Sequence, residues 1–233
     1  MNASPDFVSS TSPDEDVPRL GRRATSAEAR ERIIAAAEIL FAERGIEAVS
    51  LREIAVAAGH GNNNAVQYHF GSKAGLVQAI FHHRVGQMEE PRHAMLAEAE
   101  AQGRLGDVRT LLDILCLPLL DLVDGDGRHT YAGFLAQYVT RYRPGGLQHA
   151  ADEVSEVSTS IRRLLELIAQ RISYVPPALA QSRIALCALA FHNMLVRADA
   201  EHLKTRDRAA FDALVHDTIE IMAVALSAPY RHS

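Results

Sequence analysis

The sequence predicts an all-α protein, and three observations carry that prediction. Apolar residues recur at three- and four-residue spacing, as in Ile33, Ile34, Ala37, Leu40 and Phe41. No apolar–polar alternation of useful length marks a strand, and no internal repeat is present. Breakers cut the pattern into helix-length pieces: Gly103 with Gly106, Gly125 with Gly127, Pro144-Gly145-Gly146 and Pro176-Pro177.

Composition narrows the class further. The 233 residues can bury a sizeable core in one domain or two small ones. With 48% hydrophobic and 23% charged residues, the chain reads as an ordinary globular protein. No uninterrupted apolar run reaches the roughly 20 residues that cross a bilayer, so no membrane segment is expected. The N-terminus carries acids and prolines where a signal peptide has basic and then apolar residues. Cys116 and Cys187 are far apart, which excludes a disulfide scaffold and a cysteine-based zinc module. The expected compartment is a reducing cytoplasm.

Charge is uneven along the chain. The net charge is −5, but residues 21–85 hold eight Arg/Lys against six Asp/Glu, plus four histidines. The remaining segments are both acidic. A mildly basic segment on an acidic body suits binding of a polyanion at one end.

The elements follow in order. Residues 1–21 are rich in Ser, Pro and Asp, so a disordered tail is expected. Arg19, Arg22 and Arg23 read either as a solvated linker or as an arm for phosphates or a minor groove. Thr25 and Glu28 form a capping-box pattern that predicts a helix from about Ser26 to Arg44. Ser50 and Glu53 form a second such pattern, opening a short helix that ends at Gly59. After the turn Gly59-His60-Gly61, a helix is predicted over 62–69, and Ser72 caps a fourth helix. Beyond it, helices are predicted near 88–102, 107–123, 128–142, 150–173, 178–203 and 208–226.

Two helices joined by a glycine-bearing turn make a helix-turn-helix, in which the first helix braces a second that can enter a major groove. Residues 50–70 fit this geometry. The second helix displays Asn62, Asn63, Asn64 and Gln67, and Asn and Gln side chains can pair bidentately with adenine. Ser50, Arg52, Tyr68 and Lys73 flank it as candidate backbone contacts. Three consecutive asparagines equally suit a loop or a cap, and Tyr68 and Phe70 equally suit core packing.

The segments RIIAAAEILFAERGIEAVSLREIAVAAG (32–59) and AVQYHFGSKAGLVQAIF (65–81) resemble the DNA-binding domain of the TetR (tetracycline-repressor-like) transcriptional regulators. Val66, His69, Phe70, Ser72 and Lys73 match the family pattern, which adds His69 to the candidate DNA contacts. Gln67 stands where the family usually has Tyr, and the turn GHGNNN is one residue longer than the common pattern. The resemblance implies a DNA-binding domain over 22–85 and a ligand-binding, dimerising helical body over 86–233. It also implies a homodimer through the helices near 178–203 and 208–226. Independently, RIALCALAFHNMLVRA (183–198) is apolar on more than one side and needs partners on more than one side.

Candidate ligand contacts in the body are His93, Cys116, Phe134, Tyr138 and His192, an aromatic and polar set within apolar helices. No HExxH, P-loop, GxGxxG or GxSxG is present, so no catalytic residue, metal or cofactor is expected. The reading is a ligand-responsive, DNA-binding regulator, expected as a repressor on palindromic double-stranded DNA. The alternatives are an all-helical enzyme using His129 or His192 with a nearby acid, and a DNA-binding protein without a ligand.

Overall fold

The computed structural model describes residues 20–61, 63–152 and 155–230. Of the tail expected over 1–21, residues 1–19 lie outside them, as does Asn62, while Leu20 and Gly21 begin α1. Ten α-helices occur among the described residues: α1 Leu20–Arg44, α2 Leu51–Ala57, α3 Asn64–Phe70, α4 Lys73–Ala101, α5 Val108–Cys116, α6 Thr130–Gln137, α7 Thr159–Arg171, α8 Pro177–Ala200, α9 Leu203–Arg206 and α10 Arg208–Leu226. No strand occurs among the described residues. The all-α prediction stands.

Several boundaries differ from the sequence reading, each for a local reason. The backbone of α1 is already helical at Leu20, so Thr25 lies inside the helix and does not begin it. One helix, α4, covers what was read as two, passing Pro91. Proline lacks only its own N–H, and its exposed position leaves the freed carbonyl to solvent. The predicted helix over 150–173 begins only at Thr159, after two short 3₁₀ turns at Ala150–Asp152 and Glu156–Ser158. The predicted helix over 107–123 tightens at Leu117–Asp121 into a 3₁₀ turn that accommodates Pro118. After α6 the chain continues as one π-helical turn, Tyr138–Tyr142.

The N-terminal part is held by a small core. Ile33, Ile34, Ala37 and Phe41 of α1 are buried together with Ile54, Ala55 and Val66 of the two short helices and Leu76, Ile80 and Phe81 of α4. In the body, α8 packs against α6 and α10, while α7 packs against α4 and α5.

The two parts meet where α1 lies along α6. Glu38 of α1 is fully buried there. Its carboxylate accepts hydrogen bonds from Arg84 Nε at 2.6 Å, Arg84 Nη2 at 2.8 Å and Thr130 Oγ1 at 2.7 Å. One carboxylate therefore ties α1 to α4 and to the first residue of α6. Gly133, one turn further along α6, approaches α1 closely: a Cβ there would meet the Ala42 Cβ at 3.2 Å. Beyond α6, the Tyr142 hydroxyl accepts from the Glu47 amide at 3.3 Å in the loop after α1.

A buried charge pair is strongly destabilised when one member is removed. Glu38→Ala leaves Arg84 uncompensated and is expected to lower stability by about 3–5 kcal/mol in urea unfolding. Thr130→Val, which removes one bond to a charged group, should lower it by about 1–2 kcal/mol.

Candidate nucleic-acid interface and cavity

Local sequence dictates the geometry of the short helices. Ser50 caps α2: its Oγ accepts the Glu53 amide at 3.2 Å, while the Glu53 carboxylate accepts the Ser50 amide at 2.8 Å. Arg44 closes on the same carboxylate at 2.8 Å. The Ser50 hydroxyl and amide, followed by Arg44, hold the Glu53 carboxyl down at about 2. The helix stops at Gly59, whose φ of +81° only glycine adopts freely. The His60 amide donates back to the Ala55 carbonyl at 2.8 Å and the Gly59 amide to Val56 at 3.0 Å, a Schellman stop. This turns the chain sharply into α3.

Val66 anchors α3 in the core, and the next turn of the helix faces outward. Gln67 and Asn64 are exposed, and Tyr68 is 83% exposed. Asn63 stands at the N-cap, half-buried, with no side-chain capping bond. Arg52 and Val56 of α2 are exposed. His69 and Phe70 are half-buried, with the Arg30 guanidinium 5.4 Å from the Phe70 ring centre. Burial, then Arg30, lowers the His69 pKa.

Two sequence-predicted contacts are engaged within the fold. The Ser50 side chain is part of its cap. Lys73 Nζ donates to the carbonyls of Ile46 at 2.9 Å and Glu47 at 3.2 Å, which pins the start of α4 to the loop after α1. Gly75 escaped the sequence reading. A Cβ on it would collide with the Phe70 carbonyl oxygen, so the close passage from α3 into α4 requires glycine.

The body holds a partly open cavity of about 440 Å³, within the usual range for small-molecule sites. It is walled by α4, α5, α6, α7 and α8. Cys116, Tyr138 and His192 line it, as does Tyr131. The structure takes the other two sequence candidates away from it. Phe134 is buried in aromatic packing, 6.2 Å from Phe41 and 5.2 Å from Phe81 by ring centres. His93 is exposed on the outer side of α4, because one helical step turns it away from Arg92, which does line the cavity.

Polar groups at the cavity are mostly tied down. Arg143 pairs twice with Asp152, at 2.9 and 3.1 Å, and donates to the Tyr138 hydroxyl at 3.0 Å. That hydroxyl donates to the Leu147 carbonyl at 2.8 Å. His149 Nδ1 accepts the Ala151 amide at 3.0 Å, which places its proton on Nε2, facing the Tyr131 oxygen at 3.4 Å. Burial pushes the Cys116 thiol up, so it stays protonated. Arg92 and Tyr131 were invisible as cavity residues in the sequence reading. The available signal for Arg92 was a lone charge on the stripe Val85, Met88, Arg92, Leu96, all buried.

His129 lies elsewhere. Its Nδ1 is 2.8 Å from Asp199, and its ring stacks on Phe211, outside the cavity lining. His192, inside the cavity, has no acid partner among the described residues. Among these residues no cluster of three or more metal-ligating side chains occurs. The helix α8 is long and apolar enough to cross a membrane by length and composition alone; here its buried face packs on α6 and α10.

Fold and surface define an all-helical protein with a helix-turn-helix near its N-terminus and a partly open cavity beyond. Residues 33–80 match the family described as bacterial regulatory proteins, tetR family. That segment, which holds α2 and α3, is similar to the DNA-binding domain of the tetR family. The HTH-type transcriptional repressor BepR of Brucella suis biovar 1 (strain 1330) is 36% identical over 77 residues. That match spans 33% of this chain and about a third, 34%, of the relative. Two solved structures are similar at 22% identity. One, described as a molecular basis for control of antibiotic production by bacterial hormones, has a TM-score of 0.46 and covers 85% of this chain and 97% of its own. The other, a TetR-family regulator from Streptomyces coelicolor A3, has a TM-score of 0.43 and covers 86% and 96%.

The buried histidines set an acid limit on the fold. Burial holds the His149 pKa at about 3 and the His192 pKa at about 4, below the 6.5 of a free imidazole. The unfolded chain therefore takes up protons first as pH falls. Stability from these two groups is whole above about pH 6.5 and is lost progressively toward pH 4 and then 3. A His149→Gln, His192→Gln double variant should show a flatter decline of unfolding free energy across that window, measured by urea titration at stepped pH.

Proposed function

We propose that this protein is a cytoplasmic, homodimeric transcriptional repressor, not an enzyme, that binds a palindromic operator and is released by a small molecule. The observation that carries the reading is the outward polar face of α3 beside the exposed Arg52, on a frame of the tetR type. In this reading α3 enters the major groove. Asn64 and Gln67 read base edges, with Asn63 at the helix start. Arg52, Tyr68 and the Ser50 end of α2 meet the backbone, and His69 packs behind them. Lys73 contributes by fixing the α1 loop against α4. The match to a repressor over this same domain supports the sign of regulation.

The dimer is read from exposed apolar side chains on the two last long helices. Leu186 is 66% exposed, Val196 40%, Ile221 60% and Val224 72%. Such a set on adjacent helices is a surface that a second copy covers by a four-helix contact. Two-fold symmetry would set two α3 helices about 34–36 Å apart on one face of DNA, or somewhat more.

Cavity and reading head share α6. Tyr131 and Leu135 line the cavity, while Thr130 and Gly133 of the same helix face α1. A ligand that favours one placement of α6 thereby favours one placement of α1 and the spacing of the two heads. It acts only by binding the two placements with different affinity.

In vitro selection from random DNA tests the proposal: a palindromic consensus is expected, and failure to enrich any sequence contradicts it. Arg52→Ala should weaken all sequences alike and lower the salt slope by about 1, whereas Gln67→Ala should relax preference at one base pair by about 1–3 kcal/mol. A Leu186→Asp, Val224→Asp variant should run as a monomer in light scattering and lose operator affinity. A variant that stays dimeric would place the dimer face elsewhere.

A further inference from the structure

Three arginines at the joint and around the cavity are each paired with a carboxylate. Arg84 is held by Glu38, Arg109 by Asp113 and Glu220, and Arg143 by Asp152. Arg92 is 3% exposed and pairs with no carboxylate among the described residues. Its Nε and Nη1 have no hydrogen-bond partner there. Its Nη2 reaches only the Met88 sulfur at 3.3 Å and the Leu115 carbonyl at 3.4 Å. Glu89, one turn before it on α4, accepts the Ser160 amide at 2.8 Å and does not pair with Arg92.

A buried guanidinium with idle N–H groups is costly; a neutral guest can at most accept from those groups and leaves the charge uncompensated. An anion removes it and gains charge-assisted bonds in a low-dielectric site. His192 Nδ1 is a second buried atom without a partner among the described residues, on the wall of the same cavity. The rest of the wall is largely apolar: Val85, Leu119, Ile161, Ile184 and Phe191. Burial lowers the Arg92 pKa to about 10, which leaves it cationic at neutral pH.

We infer that the cavity takes an amphipathic organic anion, with a carboxylate on Arg92 and its apolar part along Val85, Leu119, Ile161 and Phe191. The inference rests on reading the cavity as an effector site. Arg92 sets the charge preference and the apolar wall supplies the remaining affinity.

Calorimetric titration of the full chain with octanoate, 1-octanol and octylamine tests it near neutral pH. Octanoate should bind at least about tenfold more tightly than octanol, the span of a hydrogen bond to a charged group, and octylamine should be rejected. Arg92→Met should lose that preference and keep octanol binding, while Arg92→Lys should keep part of it. Apo Arg92→Met should be as stable as the parent or more so, since it removes an unpaired charge. Equal binding of octanoate and octanol, an unchanged preference in Arg92→Met, or no binding of any probe would overturn the inference. Operator affinity is read in the same samples. Octanoate binding without any change in operator affinity keeps the anion site and removes the effector reading. Release by octanol as readily as by octanoate keeps the effector reading and removes the anion site.

Discussion

Glu38 is a carboxylate where the helix pattern calls for an apolar residue. It sits on α1 among Ile34, Ala37 and Phe41, fully buried, and its charge is tolerable only because three donors converge on it. Arg84 comes from α4 and Thr130 from the first residue of α6. The helix that braces the short pair α2 and α3 is thereby fixed to the helix that walls the cavity. Removing the charge would loosen both at once, because among the described residues no other ion pair crosses that joint.

Around that joint, smaller constraints place the outward face of α3. The Schellman stop at Gly59 sets the angle between α2 and α3, and Val66 sets its depth. The bare Cα of Gly75 lets α4 begin directly beneath the Phe70 carbonyl, and Lys73 pins that start to the α1 loop. None of these residues needs to touch DNA to determine whether Gln67 and Tyr68 can. They act as positioning residues, and their chemistry is that of caps, turns and close packing.

Much of this was legible in the sequence. Helical class, the Ser50–Glu53 capping box, the glycine turn and the terminal helix α10 follow from periodicity and cap chemistry, which are local. What was not legible depends on tertiary contact. Thr25 reads as a cap in isolation, yet α1 is helical from Leu20. Pro91 reads as a break, yet α4 runs through it because the proline is exposed and the helix is buried on its other side. The cavity was legible for Cys116, Tyr138 and His192 and not for Phe134, whose apolar ring serves core and cavity equally well in a linear pattern. Glu38 and Arg92 share one recognisable signal, a single charge inside an apolar stripe at helical spacing. Sequence gives that a charge is there; only the fold shows that Glu38 is answered by Arg84 and that Arg92 forms no ion pair among the described residues.

The buried joint of Glu38, Arg84 and Thr130 ties α6 to the helix that braces α2 and α3. Hydrogen exchange read by mass spectrometry on the parent and Glu38→Gln tests it directly. Protection is expected to fall together in α1, in α6 and in the α2–α3 pair, since an amide offers one acceptor oxygen and no charge where the carboxylate holds Arg84 and Thr130 with two. A loss confined to the few residues around position 38, with α6 and α2–α3 unchanged, would contradict it.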